Sequence, residues 1–361
     1  CGAPQIRPRS RSSRNSIRAM LQTGHERVRR IRQAAGRVPP SRPLMTETTP
    51  GPPISLGQTW ADQADLEELF QRRRPAHPDR VYPPNDNYGF GPCLRRFAGI
   101  APEESIHAIV PHGHNYPLID GQRQAPEQER IDAIPTVLAS SDACLEAFRN
   151  AGGKRVIPIG LASLYAIHCL EPAAQPPAGS LFFRCHSTGV TQLKLDDDQL
   201  IRNLRGLPDR FHPIHICAYW RDWDLGEYEP FLAQGFQVVG AGSHCDPLFI
   251  WRHLHLLRSH RYVLSTGVSS HVFHACLLGI PTLILPMPVQ RVIRHQSFAW
   301  KVQTYQEMHG LRSHFQVERS EPSRDQRALS ELFLGSSHQR SPSELKQILN
   351  SLRPQAPSRT L

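Results

Sequence analysis

The sequence predicts an α/β protein whose main element is a parallel, doubly wound sheet. Between residues 181 and 285, short apolar runs alternate with segments of helical periodicity. Gly, Ser and Pro clusters separate the two kinds of segment. An alternation of this kind is typical of parallel strands joined by crossover helices. Strands are predicted at residues 181–184, 214–219, 237–239, 262–264 and 282–285, with helices near residues 198–205, 227–234, 246–259 and 270–278.

One unit, residues 262–286, shows the pattern most clearly. An apolar run at 262–264 is followed by small polar residues at 265–270, then by apolar residues at helical spacing until Gly279 and Pro281. A turn of small residues before a helix leaves backbone N–H groups at the positive end of the helix dipole, where phosphates bind well. The pattern therefore predicts either a phosphate site or an ordinary unit whose serines only cap the helix.

The charge of the chain is concentrated at its start. Residues 1–44 carry the whole net charge of +10, because they hold eleven arginines, no lysine and one acidic residue, Glu26. The remaining 317 residues hold 31 basic and 31 acidic side chains. A globular part of zero net charge does not favour a nucleic-acid partner, so none is expected.

The eight cysteines are not spaced as Cys-x-x-Cys, and several fall inside apolar segments. This usage is typical of reduced thiols in a cytosolic protein. No apolar run approaches the roughly 18–20 residues of a membrane span, and the first residues lack a secretory apolar core. We therefore expect a soluble, cytoplasmic protein.

The first half of the chain predicts a smaller α/β unit. Strands are expected at 106–111, 136–139 and 155–159, and helices at 59–74, 93–98 and 141–150. A Pro/Ala-rich stretch at 171–179 is the best boundary. The expected division is a disordered basic tail at 1–56, an acceptor-side domain at 57–175, a Rossmann-like donor domain at 178–315 and a tail at 316–361.

The two tails differ in pattern. Residues 1–56 are rich in Arg, Ser and Pro, which predicts disorder. A basic amphipathic turn at 22–35 leaves weak peripheral membrane association open, and an alternative is that Met45 is the true start. The last segment has one clear helix start, where Ser341 and Glu344 form a capping box.

Chemistry-bearing side chains follow four of the five strands predicted in the second half. Because ligands bind beyond the carboxyl ends of parallel strands, these residues are expected to face one ligand. Hydroxyls, imidazoles and one arginine, with few carboxylates, suit an anionic ligand such as a nucleotide diphosphate. The candidate donor-binding residues are His186, Ser187, Thr188, Arg221, Asp222, Ser243, His244, Asp246, Thr266, Ser269, Ser270 and His271.

A candidate catalytic group lies in the first half. His112 ends the strand predicted at 106–111, and an imidazole there has a pKa near the working pH of a general base. Asp120 follows and could orient it or contact an acceptor. The alternative is a surface loop histidine. No Cys, His and Asp spacing fits a known zinc site, so no metal is expected.

Several segments resemble two-domain glycosyltransferases of the GT-B architecture, above all bacterial surface- and capsular-polysaccharide proteins. They are Asn-Tyr-Gly at 87–89, IHAIVPHG at 106–113, PTVLASSD at 135–142, SLFFRCHST at 180–188, VVGAGSHCDPLF at 238–249 and YVLSTGVSSHVFHACLLGIPTLI at 262–284. There is a partial resemblance to the CDP-glycerol glycerophosphotransferases, with His112-Gly113 as the base and Ser269-Ser270 on the phosphates. His212-Pro213 matches the phosphate-binding His-Pro pair of that family, but it precedes its strand.

The resemblance implies two Rossmann-like domains, the first reduced. It also implies an enzyme that transfers a sugar from a nucleotide-activated donor to a glycan or lipid-linked acceptor without a further cofactor. The alternatives are a CDP-glycerol-type polyol phosphotransferase, a nucleotide-sugar 2-epimerase and a non-catalytic GT-B-like binding protein. The chain departs from the family because the helix after Ser270 lacks the acid that holds the donor ribose; Asp222, Asp224 and Asp246 are the nearest substitutes.

Overall fold

The structure is a computed structural model, and it describes residues 54, 56, 63–71, 77–111, 132–151, 153–171, 175–187, 191–286, 290–293 and 310–354. His112, Asp120 and Thr188 lie outside these residues, as does the basic segment 1–50. The predictions that concern them therefore stay predictions.

The first half contains a small parallel sheet. Strands β1 (Thr136–Ala139) and β2 (Arg155–Pro158) pair in parallel. Both were predicted. In place of the strand predicted at 106–111, only Ile109 pairs with Val137, as a parallel bridge. The Asn85 side chain bonds the carbonyls of Ile106 and Ala108 and the amide of Val110, so a side chain holds this segment along the edge that faces away from β1.

The second half contains the predicted five-stranded parallel sheet. The bounds of each strand agree with the sequence pattern to within one residue at every end, because buried parallel strands are short apolar runs. The strands are β3 (Ser180–Phe183), β5 (Ile214–Ala218), β6 (Gln237–Gly240), β7 (Tyr262–Ser265) and β8 (Thr282–Ile284). The sheet order is β6–β5–β3–β7–β8, and all neighbours are parallel. A two-stranded antiparallel sheet, which was not predicted, is formed by β4 (Thr191–Lys194) and β9 (Gln290–Ile293).

Helices cover both faces of the main sheet. Leu181 and Phe183 of β3 belong to one core cluster, while Phe182 between them belongs to the other, because successive side chains of a strand point to opposite faces of the sheet. The helices are α1 (Gln63–Gln71), α2 (Phe90–Ala98), α3 (Asp142–Ala151), α4 (Ser163–Ile167), α5 (Asp197–Arg205), α6 (Trp220–Asp224), α7 (Glu229–Ala233), α8 (Phe249–Arg258), α9 (Ser270–Leu277), α10 (Arg324–Leu334) and α11 (Pro342–Ser351).

The larger cluster joins both halves of the chain. Phe97 and Tyr165 from the first half belong to it together with Trp251 and Phe273 from the second half. The division at residues 175–178 thus stays a prediction. Within the described residues, no helix is both long and apolar enough to cross a lipid bilayer.

The segment after residue 316 holds two helices instead of the one predicted. Helix α11 has the expected capping box of Ser341 and Glu344. Helix α10 has a second capping box, made by Ser323 and Gln326, and its Phe333 stacks on Phe273 of α9. The segment therefore completes the core.

Candidate functional site

The strand order puts the topological switch point of the sheet between β3 and β7, and a crevice is expected there at their carboxyl ends. The chain leaves β3 toward β5 on one side of the sheet and leaves β7 toward β8 on the other side. Where neighbouring parallel strands lead away in opposite directions, their connections separate and leave room for a ligand. This crevice is therefore the place in the sheet where a ligand is expected.

The two loops beside the crevice contact each other through small groups. The Cys185 amide donates to Oγ1 of Thr266 (2.8 Å), and the Thr266 amide donates to the Phe183 carbonyl (3.2 Å). A Cβ atom on Gly267 would lie 2.8 Å from Sγ of Cys185, so a side chain there would require the thiol to move. Thr266 is fully buried and supports the crevice without lining it.

His271 fixes the turn after β7. Its Nε2 lies 2.9 Å from Oγ of Ser265, and its Nδ1 lies 3.2 Å from Oγ of Ser269. Ser265 Oγ in turn donates to the Gly267 carbonyl (2.7 Å). The bonds run consistently if Ser269 donates to Nδ1 and Nε2–H donates to Ser265. The ring also stacks on Phe183 at 4.1 Å, so the turn is held on both sides.

This arrangement changes how α9 begins. Ser269 is the N-cap residue and has extended backbone angles, but its side chain makes no capping hydrogen bond because it is turned to His271. The Val272 amide instead bonds the Ser269 carbonyl (3.0 Å). The positive end of an eight-residue helix therefore faces the crevice without a side-chain cap, which favours an anion there.

Asp222 stabilises the loop after β3 from the buried side. It is fully buried, and both of its carboxylate oxygens accept from the Ser187 amide, at 3.2 and 3.1 Å. Nη1 of Arg184 lies 3.8 Å from Oδ2 of Asp222. Arg184 also bonds Asp197 (3.0 Å) and Glu227 (2.7 Å). Burial raises the pKa of Asp222, although the nearby His186, the Ser187 amide and Arg184 oppose this shift.

Asp246 has a structural partner. Its carboxylate pairs with Arg252 at 2.7 Å, and both side chains are buried. The second oxygen accepts from the Leu248 amide (2.8 Å), just before α8. Ser243, whose carbonyl accepts from the Asp246 amide (3.0 Å), is also buried. Ser243 and Asp246 were predicted to contact the donor, but their hydrogen bonds stabilise their own loop.

The loop of the Asn-Tyr-Gly segment lies against the loop after β6. Tyr88 has a φ of 59°, and its amide donates to the His244 carbonyl (2.5 Å). The His244 ring stacks on Trp220 with 5.0 Å between centroids. A Cβ atom on Gly89 would lie 2.4 Å from the Pro247 carbonyl oxygen, so a side chain there would prevent the contact. This loop ties the first half of the chain to the ligand edge of the main sheet.

His186 and Arg221 lie beside these groups with different surroundings. The His186 ring is exposed and stacks on Tyr219 with 4.0 Å between centroids, and its Nδ1 lies 3.0 Å from the Ser187 carbonyl. Arg221 is half-buried, and its Nε has no hydrogen-bond partner within the described residues.

The structure thus brings together most of the described candidates and separates their roles. Ser269, Ser270, His271 and His186 are at least partly exposed at the ligand edge, whereas Ser187, Asp222, Ser243, Asp246 and Thr266 are buried supports. Arg184 and Tyr219 were not predicted as site residues. Their positions directly after β3 and β5 could have indicated them. His212, which precedes β5, lies at the opposite edge and contacts the Leu207 carbonyl (3.1 Å). Among the described residues no three His, Cys, Asp or Glu side chains gather in a way that could hold a metal ion.

Comparisons with known proteins give little beyond this geometry. No family model matches the chain, and no curated protein matches it. Among solved structures, a glycosyltransferase of Phytolacca americana, UGT2 complexed with UDP-2fluoro-glucose and pterostilbene, aligns over 63% of this chain and 50% of its own length. The aligned residues are 12% identical and the TM-score is 0.25, so this similarity carries no argument about the site.

Proposed function

We propose that the chain is a glycosyltransferase of the GT-B type, which binds a nucleotide-activated sugar at the β3–β7 crevice. The observation that carries the proposal is the uncapped start of α9, where the Ser269 hydroxyl turns to His271 instead of the helix. A diphosphate is an anion that such a helix start would stabilise, and it is the leaving group of sugar transfer from a nucleotide donor.

The partly exposed side chains have different roles in this proposal. Ser270 and the backbone N–H groups at the start of α9 would donate to phosphate oxygens, and the bond to His271 would keep Ser269 from capping those groups. The guanidinium of the half-buried Arg221 would be a cation for a further anionic group of the donor. The acceptor would be a glycan or lipid-linked sugar of surface polysaccharide synthesis.

Nucleotide binding is the direct test. Isothermal calorimetry with UDP, CDP, GDP and CMP should show binding of at least one nucleotide to the wild-type chain. The double variant Ser269→Ala, Ser270→Ala should weaken that binding at least tenfold. It loses the charge-assisted hydrogen bond of Ser270, which contributes on the order of 1–3 kcal/mol, and the bond to His271 that holds the turn at Ser269.

The matched control is Ser343→Ala, Ser351→Ala, which removes two exposed hydroxyls from α11. It should bind the nucleotide as the wild type does. Absence of binding by the wild-type chain, or equal affinity in the site variant, would contradict the proposal.

A non-catalytic GT-B-like binding protein is the second candidate. It is favoured by the bonds of Asp222 and Asp246, because neither carboxylate is available to hold a donor ribose. The two candidates differ in turnover. Release of nucleoside diphosphate from the donor in the presence of acceptors would favour the enzyme, and tight binding without release would favour the binding protein.

A further inference from the structure

His186 and Asp222 form an exposed imidazole backed by a buried carboxylate. The His186 ring is open to solvent at the ligand edge, whereas Asp222 has no exposed surface. Both groups bond the same residue, Ser187, which keeps the carboxylate close to the ring. An arrangement of this kind suits proton transfer, because the carboxylate stabilises the imidazolium that forms when the ring accepts a proton.

The contacts of the ring also set its tautomer. With Nδ1 3.0 Å from the Ser187 carbonyl, this nitrogen donates its proton to the carbonyl oxygen. The proton-accepting lone pair is then on Nε2. Stacking on Tyr219 fixes the plane of the ring. The imidazole is therefore oriented before any substrate arrives.

Asp222 is held in place by several donors. The Ser187 amide bonds both carboxylate oxygens, and Arg184 lies 3.8 Å away. Since the same Ser187 accepts from His186 and donates to Asp222, one residue positions both members of the pair. A buried carboxylate with these partners acts by orienting and charge, which makes Asp222 a positioning residue.

The pair lies next to the crevice. His186 follows Cys185 directly, and the Cys185 amide bonds Thr266 in the loop that leads to Ser269 and Ser270. A group bound at the start of α9 would therefore have the His186 loop as its immediate neighbour across the crevice.

We propose that His186 is the general base of the transfer reaction, with Asp222 as its positioning partner. The assignment rests on the proposed function. The acceptor hydroxyl oxygen attacks the anomeric carbon of the donor, and its proton goes to Nε2 of His186. A bond forms between that oxygen and the anomeric carbon. The bond from this carbon to the diphosphate oxygen breaks, and its electron pair leaves with the nucleoside diphosphate.

Other ionisable groups around the pair have to be considered in any pH measurement. Tyr219 faces the ring, and burial raises its pKa. Tyr228 lies near Asp222, and burial raises its pKa as well. Arg184 lies near Asp222, and Arg221 lies near Tyr219. None of these four groups loses or gains a proton between pH 5 and 8 in its ordinary range. His244 and His271 lie at the same edge of the sheet, so the resonance of the His186 ring itself is needed to assign a transition.

The first test needs no ligand. The His186 ring is titrated by NMR in the wild-type chain and in Asp222→Asn, with the resonance assigned from His186→Gln. Loss of the negative charge should lower the pKa of His186 by about one unit or more. An unchanged pKa would overturn the pairing of the two residues, whatever the protein binds.

The second test uses turnover with the nucleotide sugar that binds best. His186→Gln should lower kcat by roughly 10²- to 10⁴-fold and abolish the acid limb of the pH profile, while nucleotide affinity by calorimetry stays within about threefold. The exposed His77→Gln is the control and should behave as the wild type.

His112→Gln is the competing variant in the second test. If the acid limb persists in His186→Gln and disappears in His112→Gln, the base is His112 and the inference is overturned. If the wild-type chain binds no nucleotide, the proposed function fails instead, and the NMR titration still decides whether the pair exists. Because His186 is exposed, its variant is expected to fold even where Asp222→Asn does not.

Discussion

At the scale of single residues, buried charges hold the segment before α2. Arg95 pairs with Asp79 (2.7 Å) and Asp86 (2.8 Å), and all three side chains are almost fully buried. The Asp79 carboxylate also accepts from the amides of Val81, Tyr82 and Ile106. The sequence shows a turn-rich stretch here but not this cluster, because the partners are up to 27 residues apart.

Removing Arg95 should therefore destabilise the chain strongly. In Arg95→Met, two carboxylates stay buried without their cation, and we expect a loss of about 3–5 kcal/mol in the free energy of unfolding. Urea unfolding measures it. Arg327→Met, which breaks the exposed pair with Glu321, is the control and should cost less than about 1 kcal/mol. Equal losses in the two variants would contradict the role of burial.

Single residues also limit what the sequence can predict about the site. Ser269 and Ser270 are recognisable because a turn of hydroxyls before a helix has a local pattern. Asp222 is not recognisable as a buried support, since its burial depends on Arg184 and Ser187 from another strand end. Residue type was therefore predictable and exposure was not.

At the scale of elements, local pattern predicts the main sheet well and the C-terminal segment poorly. Each strand of the sheet is an apolar run bounded by turn residues. Helix α10 was missed because its cap uses Gln326 and its helical pattern begins in a polar segment. The five-residue helices α4 and α6 were missed as well.

The junction after α10 gives a sharp test with a matched control. Gly335 has a φ of 68°, and a Cβ atom on it would lie 2.0 Å from the Ser140 carbonyl oxygen. Gly153 has a φ of 75° and open space around its Cβ position. Gly153→Ala should cost about 1 kcal/mol from backbone strain alone. Gly335→Ala should cost at least 2 kcal/mol more in urea unfolding, and similar losses would show that the junction can separate.

At the scale of the whole molecule, the core contains histidines that must stay neutral. Burial lowers the pKa of both His253 and His260 to about 4, from the ordinary 6.5. His253 contacts His274 (3.2 Å), which contacts Ser163 (2.9 Å), while His260 contacts His215 (2.8 Å). These chains of imidazoles connect α8 to α4, α9 and β5, so protonation would affect several elements together.

The chain should therefore lose stability in mild acid. Between pH 6.5 and 4 the unfolded state binds protons at these histidines and the folded state does not, so the free energy of unfolding falls as the pH falls. Each histidine accounts for about 3 kcal/mol over that interval. Urea unfolding at pH 7, 6, 5 and 4 measures the slope. The slope measures how many more protons the unfolded state binds than the folded state. His260→Gln should lower that number by about one, and a slope equal to that of the wild type would contradict the assignment.

The position of α11 has a consequence for the order in which the protein is made. Leu345 and Leu349 of α11 belong to the same core cluster as Leu94 and Phe97, and Arg340 bonds the Pro158 carbonyl, which lies 182 residues earlier in the chain. During synthesis the first half emerges from the ribosome long before the helix that covers it. Its apolar surface must remain exposed until then, so a nascent chain halted before residue 342 is a ready substrate for chaperones or a source of aggregates.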